Sequence, residues 1–344
     1  MEFLNNIFVY IAQWLRGFLA FLGFTGFWIE MFMAVVYLAT ILGICTLVAL
    51  FYVLWERKLA GYIQYRPGPN RLGPKGWFQT IADAIKLLTK EDVVPKEADK
   101  VVHFLATLFI FVPPVLALGV IPFGQGMAAL DLNLGVFYLL AVTSLSTVPI
   151  FMAGWGSNNK YSLIGTMRAV AQMVSYEVPL IFSMLGVVLL AGTLQLSEIV
   201  ESQSTVWYVF LQPVAFIIFL ICATAETNRA PFDLPEGESE LTAGIYTEYS
   251  GMKWALFFLA EYCNIFVVSA IGVTLFLGGW SGPFLPGWVW FILKTHLLFS
   301  FFIWIRWTFP RIRIDHLMSF SWKVLVPLSI ANIMVTSLIF YLVQ

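Results

Sequence analysis

Two carboxylates stand inside apolar stretches long enough to cross a membrane. Glu177 lies in MVSYEVPLIFS and Glu261 in LFFLAEYCNIF. A further group of acids gathers where the apolar run WYVFLQPVAFIIFLICAT ends. The next segment, AETNRAPFDLPEGESE from Ala225 to Glu240, holds Glu226, Asp233, Glu236, Glu238 and Glu240 with a single cation, Arg229. The chain has only 20 acidic residues, so a quarter of them sit in this patch. A charge at the centre of a membrane helix costs about 2.5–3.5 kcal/mol on insertion scales, so such residues face a protein interior or a wet cavity. Burial disfavours the charged form of a carboxyl, which makes a buried acid a candidate proton carrier. With Glu248 added, acids at the surface and acids deeper down make a ladder from one membrane face towards its middle. The competing reading is a fixed ion pair. Lys294, which stands within a later apolar span, is the available partner. Glu30, near the outer end of the first span, reads as an interface residue.

These residues must be positioned by helices in a bilayer. The 344 residues are 60% hydrophobic and 11% charged, with a mean hydropathy of +0.85. A soluble domain averages about 25% charged residues. Repeated apolar runs near 20 residues in length indicate an all-α polytopic membrane protein, one integral membrane domain over 1–344. Eight spans are expected, at about 29–55, 101–122, 134–154, 169–192, 206–225, 255–278, 287–306 and 322–342. At a rise of about 1.5 Å per residue, Glu177 and Glu261 then lie roughly 10–15 Å below the surface. Residues 3–27 are also apolar but carry Gln13, Arg16 and three glycines, which suits an interfacial helix or a ninth span. The N-terminus shows no basic region and no small-residue cleavage site, so no removable signal is expected.

Lysines and arginines set the orientation. Segment 56–100 holds nine of the 19: Arg57, Lys58, Arg66, Arg71, Lys75, Lys86, Lys90, Lys96 and Lys100. Lys160, Arg168, Arg229, Lys253, Arg306, Arg311, Arg313 and Lys323 fall on the same side if the spans alternate, and only Arg16 and Lys294 do not. The loops near 123–133, 193–205 and 279–286 carry none. The basic loops are therefore expected in the cytoplasm, or in a matrix.

Two of those loops are too structured for linkers. The 56–100 loop opens ERKLAGYIQYRPGPNRLGPKG, where prolines and glycines forbid a continuous helix and project Arg66 and Arg71 from an irregular backbone. WFQTIADAIKLLTK follows with apolar residues at helical spacing and Asp83 and Lys86 near the edge of the stripe, an amphipathic surface helix. In the acidic 226–254 loop, Pro231 and Pro235 break any helix. Phe232 and Leu234 lie between carboxylates, as in a loop folded against a cavity or a partner rather than one left in solvent. Cys45, Cys222 and Cys263 each lie in an apolar run and read as small core residues. They and the three histidines show no metal-ligand spacing, and no metal site is expected.

ERKLAGYIQYRPGPNRLGPKG, FQTIADAIKLLTKED, YSLIGTMRAVAQMVSYE, AETNRAPFDLPEGESELTAGIYTEY and LFFLAEY closely resemble the subunit-one family of respiratory complex I, whose bacterial members are the H-type membrane subunits of NADH–quinone oxidoreductase. The resemblance runs in order over roughly 29 to 340. It implies a subunit at the joint between the hydrophilic and membrane arms, enzymatic only within a proton-translocating NADH:quinone oxidoreductase. It implies a quinone tunnel lined by Glu56, Arg57, Arg229 and Phe232. It implies a proton path through Asp83, Glu177, Glu226, Glu236, Glu238, Glu240, Glu248 and Glu261, and contact with the peripheral arm through Arg66 and Arg71. Quinone, either ubiquinone or menaquinone, would be a bound substrate, with flavin and iron–sulfur clusters held by partner subunits. The expected partners are iron–sulfur and quinone-site peripheral subunits, small membrane subunits, antiporter-like subunits and the lipid bilayer, with no nucleic acid. Two alternatives differ in class: the membrane anchor of an energy-converting hydrogenase-type module, and a stand-alone cation transporter. No internal repeat of the kind transporters often carry is visible.

Overall fold

A computed structural model describes residues 6–235 and 237–343, without the side chains of Glu238, Ser239 and Val343. Glu236 and the Glu238 side chain, both expected in the proton path, therefore lie outside the described residues. All regular structure among the described residues is helical. In chain order the helices are α1 (Ile7–Phe21), α2 (Gly26–Ile63), α3 (Gln79–Thr89), α4 (Lys100–Phe109), α5 (Val112–Val120), α6 (Gly135–Ser144), α7 (Thr147–Gly156), α8 (Lys160–Ala191), α9 (Leu196–Ser202), α10 (Tyr208–Leu211), α11 (Pro213–Glu226), α12 (Glu238–Leu241), α13 (Gly251–Phe276), α14 (Gly287–Thr308), α15 (Ile314–Phe320) and α16 (Val326–Val343).

With α4–α5, α6–α7 and α15–α16 each taken as one span, seven helical spans among the described residues are long and apolar enough to cross a bilayer. The eighth expected span, 206–225, is α10 and α11, interrupted at Gln212 because Pro213 has no N–H to give the preceding turn. The interruption is filled by side chains. Gln212 Nε2 donates to Thr336 Oγ1 at 2.8 Å and to the Gly186 carbonyl at 3.3 Å, and Asn332 Nδ2 donates to Gln212 Oε1 at 3.0 Å. A polar side chain buried at such a break needs partners of its own in a membrane.

Several boundaries differ from expectation. Helix α8 begins at Lys160, nine residues before the expected start of its span, capped by Asn159, whose side chain accepts from Tyr161 N at 2.9 Å. Polar residues in its first turns hid the helix from a hydropathy reading. Glu177 thus stands 17 residues along its helix, and Glu261 stands ten along α13.

Helix α13 is the central pillar: every residue from Ile265 to Phe276 is buried. Phe219 of α11, Tyr176 and Met184 of α8, and Phe291 and Phe299 of α14 pack in the same cluster. Helix α2 instead leaves Phe27, Val35 and Leu47 exposed, the pattern of a lipid-facing rod. The expected amphipathic helix is α3, whose Ile81, Ile85 and Leu88 are open.

Both structured loops fold onto the bundle. The chain after α2 turns back so tightly that a Cβ on Gly61 would sit 2.8 Å from the Arg66 carbonyl oxygen, a separation only glycine permits. The acidic loop inserts Phe232 and Leu234 into the core, 5% and 1% exposed, with the Phe232 ring 5.5 Å from Tyr176. Gly165 of α8 lets it approach: a Cβ there would lie 3.0 Å from the Pro235 oxygen. The packed reading of this loop is the correct one.

Candidate functional site

Four elements meet at a buried cluster of charge. Helix α2 brings Glu56, the loop after α11 brings Arg229, α13 brings Glu261 and Tyr262, and α14 brings Arg306. Arg229 Nη1 donates to both Glu56 oxygens, at 2.7 and 2.9 Å, while its Nε lies 2.5 Å from Glu261 Oε1. Tyr262 donates to Glu56 Oε2 at 2.7 Å, and Arg306 also reaches Glu56. The Arg229 guanidinium lies 4.6 Å over the Tyr262 ring. Two carboxylates thus face two guanidiniums. Burial by itself would weaken the hold of Arg229 on its proton, but Glu261 and Glu56 outweigh it and push the guanidinium even further up. The planar fork of arginine suits a bridge between two carboxylates in a way lysine does not.

A second set lies across a cavity. Glu226, at the end of α11, stands beside Thr143 and close enough to Glu177 for their charges to interact. Glu177 is contacted by the Ser144 hydroxyl. Glu226 Oε2 is buried with no hydrogen-bond partner among the described residues. Glu226 and Glu261 both line one cavity, together with Asn228, Asn264 and Tyr246. It leaves about 40 Å³ for the centres of water molecules, enough for at least one water. Gln172 fixes the near wall by donating to the Ala225 carbonyl at 2.6 Å and to Asn228 Oδ1 at 3.2 Å. Glu56, Arg229 and Glu261 are in contact, Glu261 and Glu226 share the cavity, and Glu177 lies within electrostatic reach of Glu226.

The other expected site residues are placed elsewhere. Arg57 does not pair with Glu56; about 100° further round α2, it reaches Asp83 at 2.5 Å, with Lys86 3.9 Å from the same carboxylate. Glu240 pairs with Arg168 at 2.6 Å, with Arg311 at 3.9 Å, on an open surface. The hydrogen bond and charge of Arg168 hold its carboxyl below the usual range. Glu248 accepts from Asn159 Nδ2 at 2.5 Å. Arg66 is exposed and donates to Gln64, and Arg71 is exposed. Phe232 is buried beneath the cluster rather than open. Glu30 pairs with Arg16 at 3.1 Å, joining α1 to α2 at an exposed position.

Lys294 is not the partner of an intramembrane acid. Its ammonium donates to the Leu277, Gly279 and Ser281 carbonyls at 2.7, 3.0 and 2.7 Å and lies 4.5 Å over the Trp207 ring. It closes the C-terminal end of α13, where free carbonyls favour a cation. Of the two acids it was available to, Glu261 faces Arg229 and Glu177 is contacted by the Ser144 hydroxyl. Three participants were missed from the sequence: Arg306, Tyr262 and Asp233, the last close enough to act on Glu261. Arg306 carried a signal, a lone cation within FFIWIRWTF. Tyr262 carried none beyond adjacency to Glu261.

Known proteins are similar to this chain over almost its whole length. A profile of the NADH dehydrogenase family matches residues 10–337. The H subunit of NADH-quinone oxidoreductase from Carboxydothermus hydrogenoformans is 50% identical over 342 residues, 98% of each chain. Proteins of the same name from Dehalococcoides mccartyi and Bacillus cytotoxicus are 54% and 51% identical, covering 90% and 92% of this chain and 87% and 95% of their own.

Proposed function

The chain belongs to the NADH dehydrogenase family and is a membrane subunit of NADH–quinone oxidoreductase, and from that premise we propose that it links quinone reduction to proton movement through the Arg229 bridge. The observation that carries the proposal is the sharing of one cation. Arg229 holds Glu56 and Glu261 at once, and Glu261 opens on the cavity that Glu226 also lines.

In this reading the quinone ring lodges near Glu56, Arg57 and Arg229, over the buried Phe232, with its tail along apolar surface between α2 and α3. The described cavities are sized for water, so walls contributed by a partner subunit complete the ring's site. Negative charge arriving on the ring strengthens the hold of nearby acids on their protons and competes for Arg229. Loss of that cation changes the affinity of Glu261, and the change passes through cavity water to Glu226 and Glu177. Asp83, Glu240 and Glu248, with Glu236 and Glu238, belong to the inner-face supply of the path, and Arg66 and Arg71 meet the peripheral arm. Partner subunits bring the flavin and the clusters. The basic loop 56–100 and the acidic loop 226–254 face the bacterial cytoplasm.

The test is Glu226→Gln combined with Glu261→Gln in the assembled complex. Neutral amides preserve volume and remove the proton cycle. We expect assembly to survive while protons moved per NADH oxidised fall. Full pumping in the double variant would overturn the path. Purification of the native complex should bring down a flavin-containing NADH-binding arm; a nickel–iron hydrogenase subunit in its place would favour the anchor of a hydrogenase-type module.

A further inference from the structure

Segment 244–250 closes one side of the acid cavity. Ile245 and Tyr246 line the cavity, and the residues after them are fastened to the helices. The Tyr249 ring stacks on His103 at a centroid distance of 4.0 Å and an angle of 7°. Its hydroxyl donates to the carbonyls of His103 and Ala153 at 3.4 and 3.5 Å. His103 Nε2 faces the Glu248 carbonyl at 3.4 Å, and Ser162 donates to the Ile245 carbonyl at 3.5 Å. The short contacts are Asn159 Nδ2 to Glu248 at 2.5 Å and, at the end of the segment, Val93 N to Ser250 Oγ at 2.9 Å. Hydrogen bonds near 3.4–3.5 Å are weak, so around His103 most of the fastening comes from the stacked rings.

His103 is poorly placed for a second proton while the segment is docked. It is 1% exposed and is the fourth residue of α4, near the positive end of a helix. A proton on Nε2 serves the Glu248 carbonyl, which leaves Nδ1 as a bare lone pair. That nitrogen is buried without a hydrogen-bond partner among the described residues. The charged groups that act on it are Lys253 from α13, Asp92 from the loop before α4, and Glu248. Lys253 and Asp92 pair with each other at 2.8 Å, and Glu248 is engaged by Asn159. None of the three accepts a hydrogen bond from Nδ1. Undocking of Tyr249 would bring water to the imidazole and accommodate the cation.

We propose that His103 and Tyr249 form a proton-responsive latch over the Glu226–Glu261 cavity, shut while His103 is neutral and released when it binds a proton. The latch as a functional gate rests on the acid-path reading above; as a structural device it stands on the docked segment alone. His103 is a positioning residue: it acts through Tyr249 and touches neither quinone nor the cavity acids.

The test is hydrogen–deuterium exchange of segment 244–250 in the assembled complex, corrected for intrinsic exchange, from pH 7.5 to pH 5.5. If the open segment frees a histidine of ordinary affinity, near 6.5, exchange through the open state should rise about tenfold over this range. In His103→Asn, whose amide can still face the Glu248 carbonyl but takes no proton, the rise should vanish. No rise in the unaltered complex overturns the latch without recourse to any variant, and an equal rise in His103→Asn does the same. Proton pumping measured on the same samples separates the two ideas. A rise abolished by His103→Asn with an unchanged pH profile of pumping supports the latch and counts against the acid path.

Discussion

The two ends of the bundle treat charge differently. At the end opposite the basic loops, Lys294 gives its ammonium to three backbone carbonyls. Gln203 beside it is equally occupied, with Nε2 donating to the Ile199 and Thr274 carbonyls and Oε1 accepting from the Gly278 and Tyr208 amides. The polar atoms of these two side chains complete turns and helix ends. At the basic end the side chains satisfy each other instead. Arg229 is divided between two carboxylates, and Glu226 keeps a buried oxygen without a partner among the described residues. The first arrangement pairs each donor with a fixed backbone acceptor. The second shares one cation between two acids, the kind of pairing that the proposed coupling uses.

The contrast is broken most directly at Arg229. Arg229→Ala leaves Glu261 without its cation and Glu56 with Arg306 alone, and breaking a buried pair from one side costs about 3–5 kcal/mol. The expected result is little assembled subunit on native gels and a marked loss of thermal stability. Arg229→Lys should recover little, because one ammonium does not reproduce the forked contact. Wild-type amounts of stable Arg229→Ala complex would show the cluster to be incidental.

Lys294→Met sharpens the other side. Removal of the shared donor should cost about 1–3 kcal/mol of stability. It should leave the quinone KM and the pH profile of turnover where they were. A shifted pH profile would mean that the two ends are not separate systems.

The smallest effect belongs to Glu240. Its pair with Arg168 lowers the carboxyl below its ordinary 4.5, so the contribution is complete above that value and is lost as pH falls through the lower folded value. With the carboxylate about half exposed, this is worth under about 1 kcal/mol and less in salt. Melting temperatures of Glu240→Gln and the unaltered complex should therefore differ slightly at pH 7 and converge once the pH has fallen below the lowered value of the folded carboxyl. A difference that persists at low pH would assign Glu240 a role other than charge.

The sequence made one part of this plain. Pro231 and Pro235 ruled out a helix, and Phe232 and Leu234 announced burial, because local backbone limits and hydrophobicity are written residue by residue. The pairing of Glu56 with Arg229, 173 positions apart, is written nowhere in that way. It depends on the rotation of α2 about its axis and on how far the loop inserts. The same blindness produced the misreading of Lys294. A chain shows which carboxylates are near in order, whereas backbone carbonyls are present at every residue and so carry no mark. The early start of α8 was hidden because the apolar rule finds the part of a helix in lipid and not the turns that pack against a loop.

Helix α2 runs unbroken for 38 residues, from the turn after α1 to the chain reversal at Gly61. At 1.5 Å per residue that is about 57 Å, well beyond an apolar thickness near 30 Å. Such a rod must lean or protrude, and it has no proline at which to yield. A torque applied by whatever grips the 64–78 crook is therefore felt at Glu56 two turns away, and the shaft carries it onward to the far leaflet.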